Sequence, residues 1–439
     1  MEGIKTMKKL LSITLVLSLI ISLAACNQKV SESTLENEPV TLNIFQFKVE
    51  IVDQLDSLIA DFEVAYPYIN VVIDTVGGGQ DYGGSLNKRM NSGNEPDIFN
   101  IGGPSELALW EDYLEPLTDQ PWVNNAFDGT LDMVTRDGEV YGQPYNVEGY
   151  GLIYNIDMFE TAGIDPTSIT TLTALKEAFA TLESKKSELG IDKVLSFSVG
   201  DSAWWTAAIH AFNVPFARQE NPFDFIEALN QGTATIHGND RFEGYLNLLD
   251  LYFEYSFDNL MTVSYDDQYS SFALGKTALL HQGNWTINQI NDIEENMNIA
   301  FLPVPLSDDP SWKNDTIMVG VPQFWAVNTN SAAGNKEAAK LFLDYMASSE
   351  RGAQFIVNDC KFIPAFSNIT LKANDPLSQS IQAYSQAGKT SPWVWMYTPN
   401  GYLDPTSKEG LQKYYLGEFS KDDYLKFLDT KYQELVKAK

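Results

Sequence analysis

The chain has 439 residues and a formal net charge of −30, from 59 acidic against 29 basic side chains. So acidic a body does not bind nucleic acid or anionic lipid through its bulk charge, and the excess favours solubility. Cys26 and Cys360 are the two cysteines, His210, His237 and His281 are far apart, and no D-x-D-x-D-G loop is present. A disulfide scaffold, a His-based metal site and a calcium loop are therefore not expected, and neither is a cofactor.

The N-terminus carries Lys5, Lys8 and Lys9, then a run of 16 uncharged residues from Leu10 to Ala25. A basic head, an apolar stretch and small residues at its end are the layout of a secretory signal. The alternative is a membrane anchor, but a span needs about 20 apolar residues. The run ends Leu23-Ala24-Ala25-Cys26, which resembles the lipobox of bacterial lipoproteins. That resemblance implies a cut before Cys26 and lipid on Cys26, holding the protein on the outer face of the cell membrane. One acyl chain anchors marginally and two anchor stably. Residues 27–38 are polar, lack aromatics and read as a flexible tether. Loss of residues 1–25 removes three lysines and one glutamate and takes the net charge to −32. The 413 residues after Cys26 are too many for one ordinary core and suit two lobes.

Val40–Phe47 reads as a strand, Ile51–Tyr66 as a helix stopped by Pro67, and Ile69–Val76 as a second strand broken by Gly77–Gly79. A short helix at Ser85–Asn91, a strand at Pro96–Ile101 and a helix at Glu106–Leu114 follow. Strands alternating with helices imply a parallel sheet with right-handed crossovers. Ligands of such sheets bind beyond the carboxyl ends of the strands. That directs attention to the loops with Lys48, Asp81, Tyr82, Gly102, Gly103 and Ser105. Further on, a helix at Thr173–Glu188 precedes a strand at Lys193–Val199, and a helix at Tyr265–Phe272 precedes a strand at Thr277–His281. Strands at Ile299–Val304 and Val319–Val327 lead to a helix at Lys336–Ala347, and Lys421–Lys439 is a one-faced terminal helix.

Nine Trp, 21 Tyr and 24 Phe include two dense clusters, Trp204-Trp205 and Trp393-Val394-Trp395 with Tyr397. Flat aromatic faces suit the apolar C–H faces of sugar rings, with a few placed polar groups reading the hydroxyls.

Several segments resemble, in order, those of family 1 extracellular solute-binding proteins, the ligand-capturing components of carbohydrate ABC importers. They are Pro96-Asp97-Ile98-Phe99; Val140 to Pro144 with Tyr154-Asn155-Ile156-Asp157; Phe272 to Lys276 with Gly283-Asn284-Trp285; and Asn335 to Ala339 with Phe342-Leu343. The resemblance runs from about Val40 to the C-terminus. It implies an α/β, two-lobe periplasmic-binding-protein-like fold with a ligand cleft between the lobes, binding without chemistry, a carbohydrate ligand, ABC permease subunits as partners and a monomer. The lobes are expected at 39–147 with 300–347 and at 148–299 with 348–439, with crossings near 145–150, 298–304 and 345–351. Candidate ligand-binding residues are Asp81, Glu148, Trp204, Trp205, Asn284, Trp285, Gln323, Trp325 and Trp395. Glu148, Trp285 and Gln323 carry roles given by the resemblance. The alternatives are a helix cap or turn residue for Asp81, a solvated hinge carboxylate for Glu148 and core for Trp325. A secreted glycoside hydrolase, with two carboxylates flanking a sugar, and the same fold with a non-sugar solute stay open as alternatives.

Overall fold

The computed structural model describes residues 38–438, so the signal run, Cys26 and nearly all of the tether lie outside the described residues. From Thr41 onward the described chain forms one compact unit containing two large mixed sheets and a small two-stranded one, Thr135–Arg136 with Glu139–Val140. In chain order, β1 (Val40–Gln46), α1 (Val52–Ala65), β2 (Ile69–Thr75), α2 (Tyr82–Ser92), β3 (Ile98–Ile101) and α3 (Pro104–Leu109) open the first lobe. Then come β4 (Gln143–Pro144), β5 (Glu148–Asn155), α4 (Leu172–Ser184), β6 (Lys193–Ser196), α5 (Phe212–Ala217), α6 (Asp240–Tyr255), α7 (Tyr265–Ala273) and β7 (Thr277–Gly283). The last elements used below are β8 (Ile299–Leu302), β9 (Ile317–Gly320), β10 (Phe324–Val327), α8 (Ala333–Ser348), α9 (Pro376–Gln386), β11 (Thr390–Ser391) and α10 (Lys421–Lys437).

The first sheet has the order β2-β1-β3-β10-β4. β1 and β3 run parallel with Ile44 beside Ile98, and β10 runs antiparallel to β3 with Phe324 beside Ile101. α1 buries Leu55, Leu58, Ile59 and Phe62, the single stripe that three- and four-residue spacing creates. The second sheet has the order β11-β9-β5-β7-β6, with β8 also paired to β5. All eight residues of β5 are buried, as a central strand covered on both faces requires. On one face, Phe179, Phe212, Leu249, Tyr424 and Leu428 pack together; on the other, Phe272, Ile299, Phe301, Leu377 and Ile381 do. The terminal helix α10 buries Tyr424, Leu425, Leu428 and Tyr432.

The chain leaves the first sheet for the second between Pro144 and Glu148. The other two expected crossings are corrected by the pairing. Ile299–Leu302 lies beside Leu152–Asn155 of β5, so residues near 298–304 belong wholly to the second lobe. The return occurs at Val321–Gln323. Val319–Val327, expected as one strand, is two: β9 pairs Gly320 with Glu148, and β10 joins the first sheet. Pro322 has no amide to give a ladder, and the chain changes sheets there. Segment 348–367 stays with the first lobe, since Phe127 N donates to Ala365 O and Ser367 N to Asn125 O, at 2.9 and 2.7 Å. The last crossing falls between Ser367 and α9, whose Leu377 and Ile381 pack on the second sheet. Among the described residues, no helix is long and apolar enough to cross a membrane.

Candidate functional site

A cavity of about 210 Å³ lies where the crossings meet, between the loops of the first sheet and the helices of the second lobe. Its first-lobe side is the loop after β1 (Phe47, Lys48, Val49, Glu50), the loop after β2 (Gly77–Gln80) and Tyr82. Gln46 shapes the former loop: its Oε1 accepts from Lys48 N at 2.6 Å and its Nε2 donates to Lys48 O at 2.9 Å. Tyr82 stacks on Phe45 with centroids 4.8 Å apart, and its hydroxyl accepts from Asn100 N at 2.7 Å.

At the floor, the Lys48 ammonium donates to Glu148 Oε1 at 2.6 Å and to Glu50 Oε1 at 2.9 Å. The side chains of Lys48 and Glu148 are each 2% exposed and that of Glu50 10%. Burial alone would lower the Lys48 pKa, but the Glu148 and Glu50 charges outweigh it and hold the amine protonated well above its ordinary range. Burial pushes the Glu148 carboxyl up, against the pull of Lys48. Asn146 Nδ2 also donates to Glu148 Oε1, at 3.1 Å.

The second-lobe wall is aromatic: Trp204, Trp205, His210, Tyr265, Trp285, Trp393 and Trp395. Trp205 and Trp285 lie 5.9 Å apart between centroids, and Trp393 and Trp395 6.3 Å. Thr206–Ala211 is a π-helical turn directly after the Trp204-Trp205 pair, and it carries His210. Such turns reset the face that side chains present. His210 stacks on Tyr150 at 4.4 Å, and burial holds its pKa well below the usual value, leaving a neutral ring. Trp285 folds back over Gly283, where a Cβ would lie 2.1 Å from the indole. Asn213 fixes the Trp393–Trp395 loop. Its Oδ1 accepts from Val394 N and Trp395 N at 2.8 and 3.1 Å, and its Nδ2 donates to Pro392 O at 3.1 Å.

Several buried polar atoms of the lining have no partner within the described residues: His210 Nδ1, Gln323 Oε1, Trp393 Nε1 and Trp395 Nε1. Buried polar groups are ordinarily satisfied, so these are atoms available to a ligand. The two lobes also touch around the cavity. Ser105 Oγ donates to Thr398 O at 2.5 Å and Asn400 Nδ2 to Ser105 O at 3.0 Å. Gly79, at φ 91°, lies so close to Ser202 that a Cβ would sit 2.3 Å from its carbonyl oxygen. Only a residue without a side chain permits that approach.

Of the expected residues, Glu148, Trp204, Trp205, Trp285, Gln323 and Trp395 line the cavity. Three do not. Asp81 is the exposed N-cap of α2 and accepts from Gly84 N at 2.7 Å. Asn284 is 1% exposed and its Oδ1 accepts from Gly149 N at 3.0 Å, tying β5 to the end of β7. Trp325 is fully buried and stacks on Tyr145 at 4.1 Å. Among residues not chosen, Lys48 and Tyr82 stood in the loops that strand order singled out, and Trp393 stood in the noted cluster. His210 and Tyr265, on helical segments, gave no such signal. Among the described residues, no group of three or more His, Cys, Asp or Glu is placed to hold a metal ion.

Comparison with known proteins gives the family and the fold. The family model for bacterial extracellular solute-binding proteins matches residues 57–389. The melibiose/raffinose/stachyose-binding protein of Bacillus subtilis is 24% identical over 402 residues, covering 89% of this chain and 88% of that one. An ABC transporter extracellular-binding protein of Pyrococcus horikoshii is 26% identical over 392 residues, covering 85% and 84%. Among solved structures, a chitin oligosaccharide binding protein superposes with a TM-score of 0.77 at 20% identity, covering 91% of this chain and 99% of that one. A raffinose complex of the binding protein RafE gives 0.75 at 18%, covering 90% and 99%. The fold is therefore the two-lobe one of these structures, and the chain belongs to the bacterial extracellular solute-binding proteins.

Proposed function

We propose that this exported protein captures a sugar or short oligosaccharide between its lobes and delivers it to the permease subunits of an ABC importer. The observation that carries this reading is the cavity's division of labour. Five tryptophans and Tyr265 offer flat apolar area on one side, while unpartnered polar atoms of His210, Gln323, Trp393 and Trp395 stand among them. Sugar rings need both. The relatives named for melibiose, raffinose, stachyose and chitin oligosaccharides support it.

Binding proceeds without chemistry. A glycoside hydrolase needs one carboxylate free as acid and a second as base or nucleophile. The two carboxylates of the cavity, Glu50 and Glu148, are instead held by one ammonium, that of Lys48. The test is calorimetric titration with a panel of neutral sugars, followed by thermal unfolding. One sugar should saturate at a ratio of one to one, release no reducing ends, and add about 2.7 kcal/mol of stability at a hundred times its dissociation constant. Failure of every sugar, or turnover of the bound one, overturns the reading.

The protein works as a monomer tethered by lipid on Cys26. A tethered receptor stays near its permease, which raises its effective concentration there. Cys26→Ala should release it from membranes with sugar binding intact; retention at the membrane would refute the anchor.

A further inference from the structure

The cavity's ionic inventory is short. Lys48, Glu50 and Glu148 are its charged lining residues. Lys48 gives its ammonium to both carboxylates, so two negative charges face one positive. Cations near the lining are engaged as well: Arg89, beside Phe45, pairs with Asp74 at 2.9 Å. Lys408 stands 5.6 Å from the Trp204 ring but pairs with Asp201 at 3.1 Å. Arg218 is 2% exposed behind the wall, where its NH1 donates to Ser391 Oγ at 2.8 Å and its NH2 to Thr316 O at 2.9 Å. His210 is neutral. Among the described residues, no lining cation is left to receive an anion, and Glu50 is the carboxylate in excess.

We infer that the cavity is a charge filter in which Glu50 makes it accept neutral and amino sugars and turn away sugars that bear a carboxylate. This rests on the sugar reading of the same site. A unit charge about 6 Å from Glu50, at an effective permittivity of about 20, would shift affinity by roughly a hundredfold. Partial screening at the cavity mouth leaves roughly tenfold. Glu50 is a specificity determinant here, since the aromatic wall stacks on the ring of a uronate as well as on that of its neutral counterpart.

The test is titration calorimetry on the intact protein at pH 7. The probe is the tightest neutral sugar from maltose, cellobiose, melibiose, raffinose and galactobiose, compared with its uronate and its 2-amino analogue. The expected order is amino analogue at least as tight as neutral sugar, and uronate roughly tenfold weaker or more. Glu50→Gln, which keeps a hydrogen bond to Lys48 and removes the charge, should narrow the neutral-to-uronate ratio by about fivefold or more. The wild-type order stands as evidence even if that variant folds poorly. A uronate that binds as tightly as the neutral sugar overturns the filter while leaving the sugar reading in place. A variant ratio equal to that of the wild type removes Glu50 as its cause. If no sugar of any charge binds, the sugar reading itself falls.

Discussion

The two lobes contribute opposite chemistry to one cavity. The first brings loops, Lys48 and Glu50, which meet Glu148 at the crossing, and the close approach of Gly79 to Ser202. The second brings helices and a wall of indoles held by packing and by Asn213. The contrast shows how the proposed sugar site divides its work between two lobes. Stacking area is built on the second lobe, where the indoles pack against its buried core. Charge is placed at the crossing strands, where it joins the lobes through Lys48 and Glu148. A ligand that touches both sides favours the closed arrangement by its differential contacts.

Four substitutions test that contrast, beginning with the largest effect. Lys48→Met leaves Glu148 buried with its charge unpaired, and should cost about 3–5 kcal/mol of stability in denaturant unfolding. A loss below about 1 kcal/mol would mean the floor is not ionic. On the opposite wall, Trp204→Ala should cost about 2 kcal/mol of sugar affinity. Because Trp204 is only half-buried, its unfolding midpoint should move far less than its affinity. Equal losses in both would make the indole packing rather than a binding surface.

The third substitution concerns acid. Burial pushes the His281 pKa down to about 3 and lowers that of His210 as well, both in the second lobe. Unfolded histidine titrates near pH 6.5, so the unfolded chain takes up protons that the folded one refuses. Stability is therefore unaffected above about pH 6.5 and falls as pH drops below it, by about 1.4 kcal/mol per unit for each such group. His281→Asn should remove one such slope between about pH 6 and 4. An unchanged slope would show that the ring is charged or solvated. The smallest effect belongs to Asp81→Ala. Loss of the α2 cap should cost about 1 kcal/mol of stability and leave sugar affinity within about twofold. A larger fall in affinity would return Asp81 to the site.

Much of this was legible in the sequence. The alternation of β1, α1, β2 and β3 is local periodicity, and it points to the loops with Lys48 and Tyr82, which line the cavity. The Trp204-Trp205 pair announced itself by density. What was not legible depends on distant partners. Val319–Val327 has the apolar composition of one strand, and only its pairing with β5 at one end and β3 at the other reveals that it is two. Trp325 and Trp285 look alike in sequence. One is stacked inside the first sheet on Tyr145, and the other is turned into the cavity over Gly283. Lys48 finds Glu148 across 100 residues, a separation that no spacing rule reads. Asn284 had the right address beside Trp285, yet its amide serves the backbone of Gly149.

The most direct test of the central claim is a crystal structure of the protein with its tightest neutral sugar. The account predicts one sugar ring seated against the indoles of the second lobe, hydroxyls within hydrogen-bond distance of His210 and Gln323, and Lys48 still paired to both carboxylates. A sugar bound outside this cavity, or a ring contacted by the first lobe alone, would contradict it.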